Sequence, residues 1–178
     1  MVGGAVDEVT IRRASSADAR ALAVLKRAWS AISSSAADSS AADSSAADPP
    51  GAGAAGDVAD EFAEDLAAWM HDRAGDVVAV IAERGTRPVG MGWLVAFERV
   101  PDVHARARRV GDLQSVFVVA EERGRGVGTA IVSALCAAAD ERGIPRLTVS
   151  SSVRAVTLYE RAGFQRRDDV LERRMPGP

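Results

Sequence analysis

Residues 113–129 read LQSVFVVAEERGRGVGT, and the order of residue types in that stretch decides what the chain is built to hold. Its first half is an apolar, β-branched run with the signature of a strand, predicted over 112–119. Glu121 to Thr129 follow as a turn with glycines at Gly124, Gly126 and Gly128. Ile131, Val132, Leu135 and Ala139 then recur at helical spacing, which predicts a helix over 126–142. Glycine lets a backbone approach a ligand closely and take positive φ. The first turn of a helix carries N–H groups without intrahelical acceptors and the positive end of the dipole. Together they form an anion site suited to phosphate or pyrophosphate. A Walker A loop is excluded because no lysine is near, and the dinucleotide pattern Gly-x-Gly-x-x-Gly fails because Thr129 stands at its third glycine. Glycine placement alone also fits an ordinary surface turn.

Outward from this stretch, periodicity predicts a strand over 6–13 and a helix opened by Ser15 with Asp18 three positions on, close to a capping box. Leu22, Leu25, Trp29 and Ile32 form its apolar stripe. Residues 33–56 repeat Ala-Ala-Asp-Ser-Ser and run into Pro49, Pro50 and a Gly/Ala tract. With nothing large to bury, they are expected to be a disordered insertion. Val58, Phe62, Leu66 and Trp69 mark a second amphipathic helix. Runs 77–83 and 89–97 read as a hairpin around a turn containing Gly85. After the central strand and helix come a strand over 146–150, a helix over 152–162 and a final strand region over 164–174. Helices and strands alternate regularly only in the second half. That pattern is α+β with a mixed sheet, in a single domain spanning 1–178 with the insertion at 33–56.

A chain of 178 residues suits one domain. Its net charge of −3 argues against a nucleic-acid partner. Cys136 is the only cysteine, so no intrachain disulfide forms, and His71 and His104 are not at metal-ligand spacing; no metal is expected. The N-terminus lacks the apolar core of a signal peptide and no stretch approaches the ~18 apolar residues of a membrane span, which points to the cytoplasm and to no membrane partner.

Arg123-x-x-Gly126-x-Gly128 resembles the Arg/Gln-x-x-Gly-x-Gly/Ala signature of the GNAT superfamily of N-acetyltransferases. A second block agrees: Leu158-Tyr159-x-x-x-Gly163-Phe164 resembles the family's late helix. Their spacing, and the N-terminal Val9-Thr10-Ile11-Arg12-Arg13 before a capped helix, fit as well. The resemblance covers the chain outside 33–56. It implies a three-layer α/β arrangement with a mixed, mostly antiparallel sheet, splayed between its fourth and fifth strands and flanked by helices. It implies acetyl-CoA as co-substrate. The backbone of Arg123, Gly124, Arg125, Gly126, Val127, Gly128 and Thr129 would hold its pyrophosphate, and the main chain of Val116, Phe117 and Val118 its pantetheine arm. Ser152 stands where many relatives carry an asparagine that binds the arm; it also suits a helix N-cap. Tyr159 would be the general acid that protonates the departing thiolate.

The implied activity is direct acetyl transfer to a primary amine, with a small molecule as the leading acceptor. A protein amino group and a homodimer both stay open. The general base is missing: relatives often carry a glutamate where this chain has Ser115 or Leu147. Asp112, Glu98, His104 and Glu61 are candidates, as is a water chain from Ser115 or Gln114. That gap keeps alive a second reading, a catalytically silent acyl-CoA-binding module. Trp93 and Phe97 alternate with Met91 along one strand and are candidates to line the acceptor pocket, against core packing. The Arg106–Arg109 cluster with His104 is a candidate for the adenosine 3′-phosphate.

Overall fold

The computed structural model describes residues 8–38, 52–168, 171 and 173. Strands β1 (Val9–Ala14), β2 (Val77–Arg84), β3 (Arg87–Glu98), β4 (Arg109–Val118) and β5 (Leu147–Val149) form one sheet in the order of the sequence. The first three contacts are antiparallel, β2 and β3 being joined by a tight hairpin, and β4–β5 is parallel across the α3 crossover. Helices α1 (Ala19–Asp38) and α2 (Ala52–Asp72) cover one face, and α3 (Val127–Glu141) with α4 (Val156–Arg161) the other. The α+β, three-layer reading holds.

The central strands are apolar along their length because both faces are covered. Val78, Val80 and Leu94 pack with Ile131, Val132 and Leu135 of α3, while Ile81, Met91 and Trp93 pack with Leu22, Leu25 and Leu66 of α1 and α2. Gly92 lets α3 come close: a Cβ there would stand 2.6 Å from Ile131 Cγ2 and 2.9 Å from Leu135 Cδ1. At the start of α1 the expected cap is present, with the Ser15 N–H donating to the Asp18 carboxylate at 2.8 Å. Arg12 bonds both Asp18 and Glu83, each at 2.7 Å. Its guanidinium holds the Asp18 carboxyl down at about 2.

Three sequence expectations change. Helix α1 runs through Asp38 and α2 starts at Ala52, so both ends of the 33–56 segment are helical. Alanine is the strongest helix former and these ends are alanine-rich; residues 39–51 lie outside the described residues. The first strand begins at Val9, with positions 6 and 7 outside the description. No strand forms over 164–168, the described stretch that opens the expected final strand region, and Leu171 and Arg173 are not in a strand either. Instead Gly163 (φ 90°) caps α4, the Phe164 N–H bonds the Tyr159 carbonyl at 3.0 Å, and Arg166 turns back to Glu160 at 2.9 Å. The remaining positions of that region lie outside the described residues. No helix among the described residues is long and apolar enough to cross a membrane.

Candidate active site

Strand β4 positions everything else. It pairs with β5 only at Gly111–Leu147, Asp112–Thr148 and Leu113–Val149, so among the described residues its second half has no strand partner on that side. The sheet opens there. The register of β4 against β3 also slips by one residue, because Gln114 faces Trp93 while Phe117 faces Met91. Ser115 and Val116 therefore share Gly92 as a partner, and Ser115 takes φ 49°, a β-bulge. Past the bulge the Val119 N–H bonds the Val89 carbonyl at 3.0 Å. Alternation then turns the main-chain groups of Val116 and Val118 toward the open side. The Val118 carbonyl already accepts from Arg123 Nε at 3.0 Å. The side chain of Phe117 is buried, so this strand packs with its side chains and offers main chain at its edge.

The glycine turn closes the end of this opening. Gly124 (φ 74°) and Gly126 (φ 82°) both occupy the left-handed region, and Gly126 is the N-cap of α3. No side chain caps that end, and the first backbone bond comes from Ala130 to Gly126 at 3.0 Å. The N–H groups of Val127, Gly128 and Thr129 thus face out unclaimed by the helix, the donor array that an anion needs. The turn is braced from below by Glu122, which is 3% exposed. Its carboxylate takes two bonds from Arg84 at 2.7 and 2.6 Å, with Arg87 at 3.4 Å and Arg125 at 3.7 Å. The Arg84 hydrogen bonds hold its pKa below the usual carboxylate range, against the opposing effect of burial. Sequence reading missed this role. The only signal was a carboxylate directly after an apolar strand with Arg125 three residues on; its main partners, Arg87 and Arg84, are 35 and 38 residues away.

Tyr159 lies on α4 beyond the end of β5. Its ring is buried against Phe164, edge to face at 5.6 Å, and burial pushes the phenol pKa up, so it is a proton donor at neutral pH. Where a Cβ of Gly128 would stand, Leu158 Cδ1 is 3.0 Å and Val118 Cγ2 3.8 Å away. The two sequence motifs, thirty residues apart, therefore meet at the opening. Ser152 is exposed between β5 and the 3₁₀ turn Val153–Ala155, and its side chain makes no capping bond.

On the α1–α2 face a cavity of ≈ 370 Å³ is lined by Lys26, Phe62, Asp65, Leu66, Trp69, Trp93, Val95 and Gln114. The bulge explains its polar side, since it puts Gln114 and Ser115 on the same face. Gln114 Nε2 donates to Asp112 at 2.8 Å, and Lys26 Nζ donates to Ser115 Oγ at 2.5 Å. Trp69 meets Trp93 edge to face at 6.1 Å. Of the three aromatic and sulfur candidates on β3, only Trp93 lines this cavity; Met91 is fully buried core and Phe97 is half exposed at the strand's end. Lys26, on the apolar stripe between Leu22 and Trp29, was missed.

The remaining candidates scatter. Asp112 sits between Gln114 and Thr148 Oγ1, the latter at 3.1 Å. Glu98 pairs in register with Arg109 at the far end of β3, and Glu61 is exposed on α2. His104 and the Arg106–Arg109 cluster lie at the β3–β4 connection. That is the whole length of β4 from the glycine turn, about 30 Å, so the cluster is not part of the same anion site.

Comparison with known proteins agrees with this architecture. Residues 43–164 match the model of the Acetyltransferase (GNAT) family. A glucosamine 6-phosphate N-acetyltransferase of Trypanosoma brucei brucei is 32% identical over 97 residues, which are 54% of this chain and 64% of that protein's length. Among solved structures, a predicted acetyltransferase from Clostridium acetobutylicum with acetyl-CoA superposes with a TM-score of 0.69 at 18% identity, covering 94% of this chain and 96% of that one. Glucosamine-6-phosphate N-acetyltransferase from Arabidopsis thaliana superposes with a TM-score of 0.66 at 16% identity, covering 95% and 99%. At these identities the two structures speak for the fold alone. With the family model matching more than half of its length, an open β4 edge and a glycine-capped α3 at the opening, the chain belongs to the GNAT family of acetyltransferases.

Proposed function

We propose that the protein transfers an acetyl group from acetyl-CoA to the primary amine of a small molecule. The observation that carries this reading is the opening itself: a strand whose second half has no strand partner on one side among the described residues, ending at a helix start with N–H donors the helix does not use. A pantetheine arm fits the first as an added strand and a pyrophosphate fits the second. Arg123, Gly124, Arg125, Gly126, Val127, Gly128 and Thr129 are assigned to the pyrophosphate, Val116 to Val118 to the arm, and Ser152 to its far side.

The chemistry then follows from position. The amine nitrogen attacks the thioester carbonyl carbon, and the main-chain N–H groups beside the Ser115 bulge stabilise the developing oxyanion. As the tetrahedral species collapses the C–S bond breaks. Tyr159 gives its phenolic proton to the departing thiolate, the proton lost from nitrogen passes to solvent, and the phenolate regains a proton from solvent before the next turnover. A cavity of ≈ 370 Å³ is at the small end of ligand pockets and favours a compact acceptor over a protein chain. The acetyl acceptor named for the trypanosomal relative, glucosamine 6-phosphate, supports a small-molecule acceptor.

The test is release of CoA thiol from acetyl-CoA across a panel of primary amines. Turnover of at least one compact amine is expected. Thermal stabilisation by acetyl-CoA without thiol release for any amine would instead indicate a binding module.

A further inference from the structure

Two residues that line the α1–α2 cavity carry hydrogen-bond donors without a matching acceptor. Lys26, the only lysine of the chain, is half-buried and gives one bond to a neutral hydroxyl, Ser115 Oγ; its ammonium also lies 4.7 Å from the centre of the Trp29 ring. Among the described residues no carboxylate pairs with it. Asp65 lines the same cavity but is exposed and makes no ion pair with Lys26. Burial disfavours the charged amine, as the lowering of its pKa indicates. Trp93 is 4% exposed, and its indole Nε1–H is buried with no partner. An unsatisfied buried donor is costly, so such groups in a binding cavity mark where a ligand supplies acceptors.

The rest of the lining limits what that ligand is. Phe62, Leu66, Trp69 and Val95 offer apolar walls and few groups for hydroxyls. Lys26 sits at the reactive end, because Ser115 is the bulge of β4 at the sheet opening. A cation there repels an acceptor that brings only an ammonium. It suits one whose amine has an anionic oxygen group next to it. We propose that the cavity takes an amino acid-like acceptor, an apolar body bearing a carboxylate beside the amine, and that Lys26 is the donor that selects the carboxylate. The inference rests on the acetyl-transfer reading for the fate of the amine, while the recognition of the carboxylate stands on the cavity alone.

The experiment compares L-phenylalanine and L-leucine with their decarboxylated amines, phenethylamine and 3-methylbutylamine, and with glucosamine 6-phosphate as a phosphate-bearing amine on a hydroxylated body. Binding is read by tryptophan fluorescence without acetyl-CoA, and turnover by thiol release. The amino acids are expected to bind, and to exceed their decarboxylated amines in kcat/KM by about 10- to 100-fold, the worth of a hydrogen-bonded charge. In Lys26→Met that ratio is expected to collapse toward one, with Lys26→Arg retaining part of it. Equal or better use of the decarboxylated amines by the wild-type protein overturns the inference. So does preference for the phosphate-bearing amine, or a Lys26→Met variant that folds and keeps the ratio. If the amino acids bind but no amine releases thiol, acetyl transfer fails and the carboxylate site stands. If decarboxylated amines are acetylated and the amino acids do not bind, transfer stands and the carboxylate site fails.

Discussion

At the end of β4, Glu122 and Arg123 of the glycine turn are engaged within the protein: Glu122 with Arg84, Arg87 and Arg125, and Arg123 with the Val118 carbonyl. In the cavity beside the middle of the same strand, Lys26 has no counter-ion among the described residues and Trp93 has a donor without an acceptor. The turn thus offers a ligand main-chain N–H groups and keeps its side chains for its own support. The cavity reverses this and offers side chains. Main chain is the same whatever the sequence, so it suits the part of the reaction common to a family. Side chains suit the part that differs between members.

That division can be broken at several places, and the largest effect is expected where the two regions meet. Tyr159→Phe should lower kcat by about 10²–10⁴, the usual contribution of a general acid. Acetyl-CoA affinity by calorimetry should stay within a few-fold, because no protein group among the described residues accepts the hydroxyl proton. Unchanged turnover would mean that the thiolate leaves without the phenol. Next, Glu122→Gln removes the charge that ties the turn to β2 and β3. The melting temperature should fall by roughly 5 °C or more, with acetyl-CoA binding about tenfold weaker. The preference between acceptors should not move. A shift in that preference would show that turn and cavity are not separable.

The same division explains what could be read in advance. The turn is a run of consecutive residues, so its glycines and helix start were visible in Arg123 to Thr129, and Tyr159 stood in a second contiguous block. The cavity is assembled from four elements, with Lys26 on α1, Phe62 on α2, Trp93 on β3 and Gln114 on β4. No glycine announces the bulge that aligns them, since Ser115 itself takes the positive φ. One signal was present. Lys26 interrupts the apolar stripe of Leu22, Leu25 and Trp29, and a lone cation on a helix's buried face is worth explaining. The sheet was legible because apolar runs and turns mark each strand. The expected final strand was not found in the described stretch 164–168, where a left-handed Gly163 and an Arg166–Glu160 pair take over.

Acid titration gives a smaller, graded contrast. Asp18 is held at about 2, and Glu122 also lies below its ordinary value. For a carboxyl with a depressed folded pKa, the stabilisation is present above the unfolded value near 4 and is lost as pH falls through the folded one. The melting temperature should therefore decline as pH is lowered from about 5 toward 2. Glu122→Gln should flatten part of that decline and Lys26→Met should not. An equal slope in the Glu122 variant would place the acid sensitivity elsewhere.

The smallest effects separate two glycines of one motif. Gly124 has open space where a Cβ would go but φ 74°, so Gly124→Ala should cost about 1 kcal/mol through backbone strain alone. Gly128 is helical without that strain, and its Cβ would meet Leu158 Cδ1 at 3.0 Å. Helix propensity favours alanine there by about 1 kcal/mol, and the Leu158 methyl is the free end of a side chain that can rotate away. Gly128→Ala should therefore be nearly neutral in urea unfolding. If it proves the worse of the two, Leu158 cannot yield. The contact between α3 and α4 is then what fixes Tyr159 against the opening, and Gly128→Ala should lower kcat as well as stability.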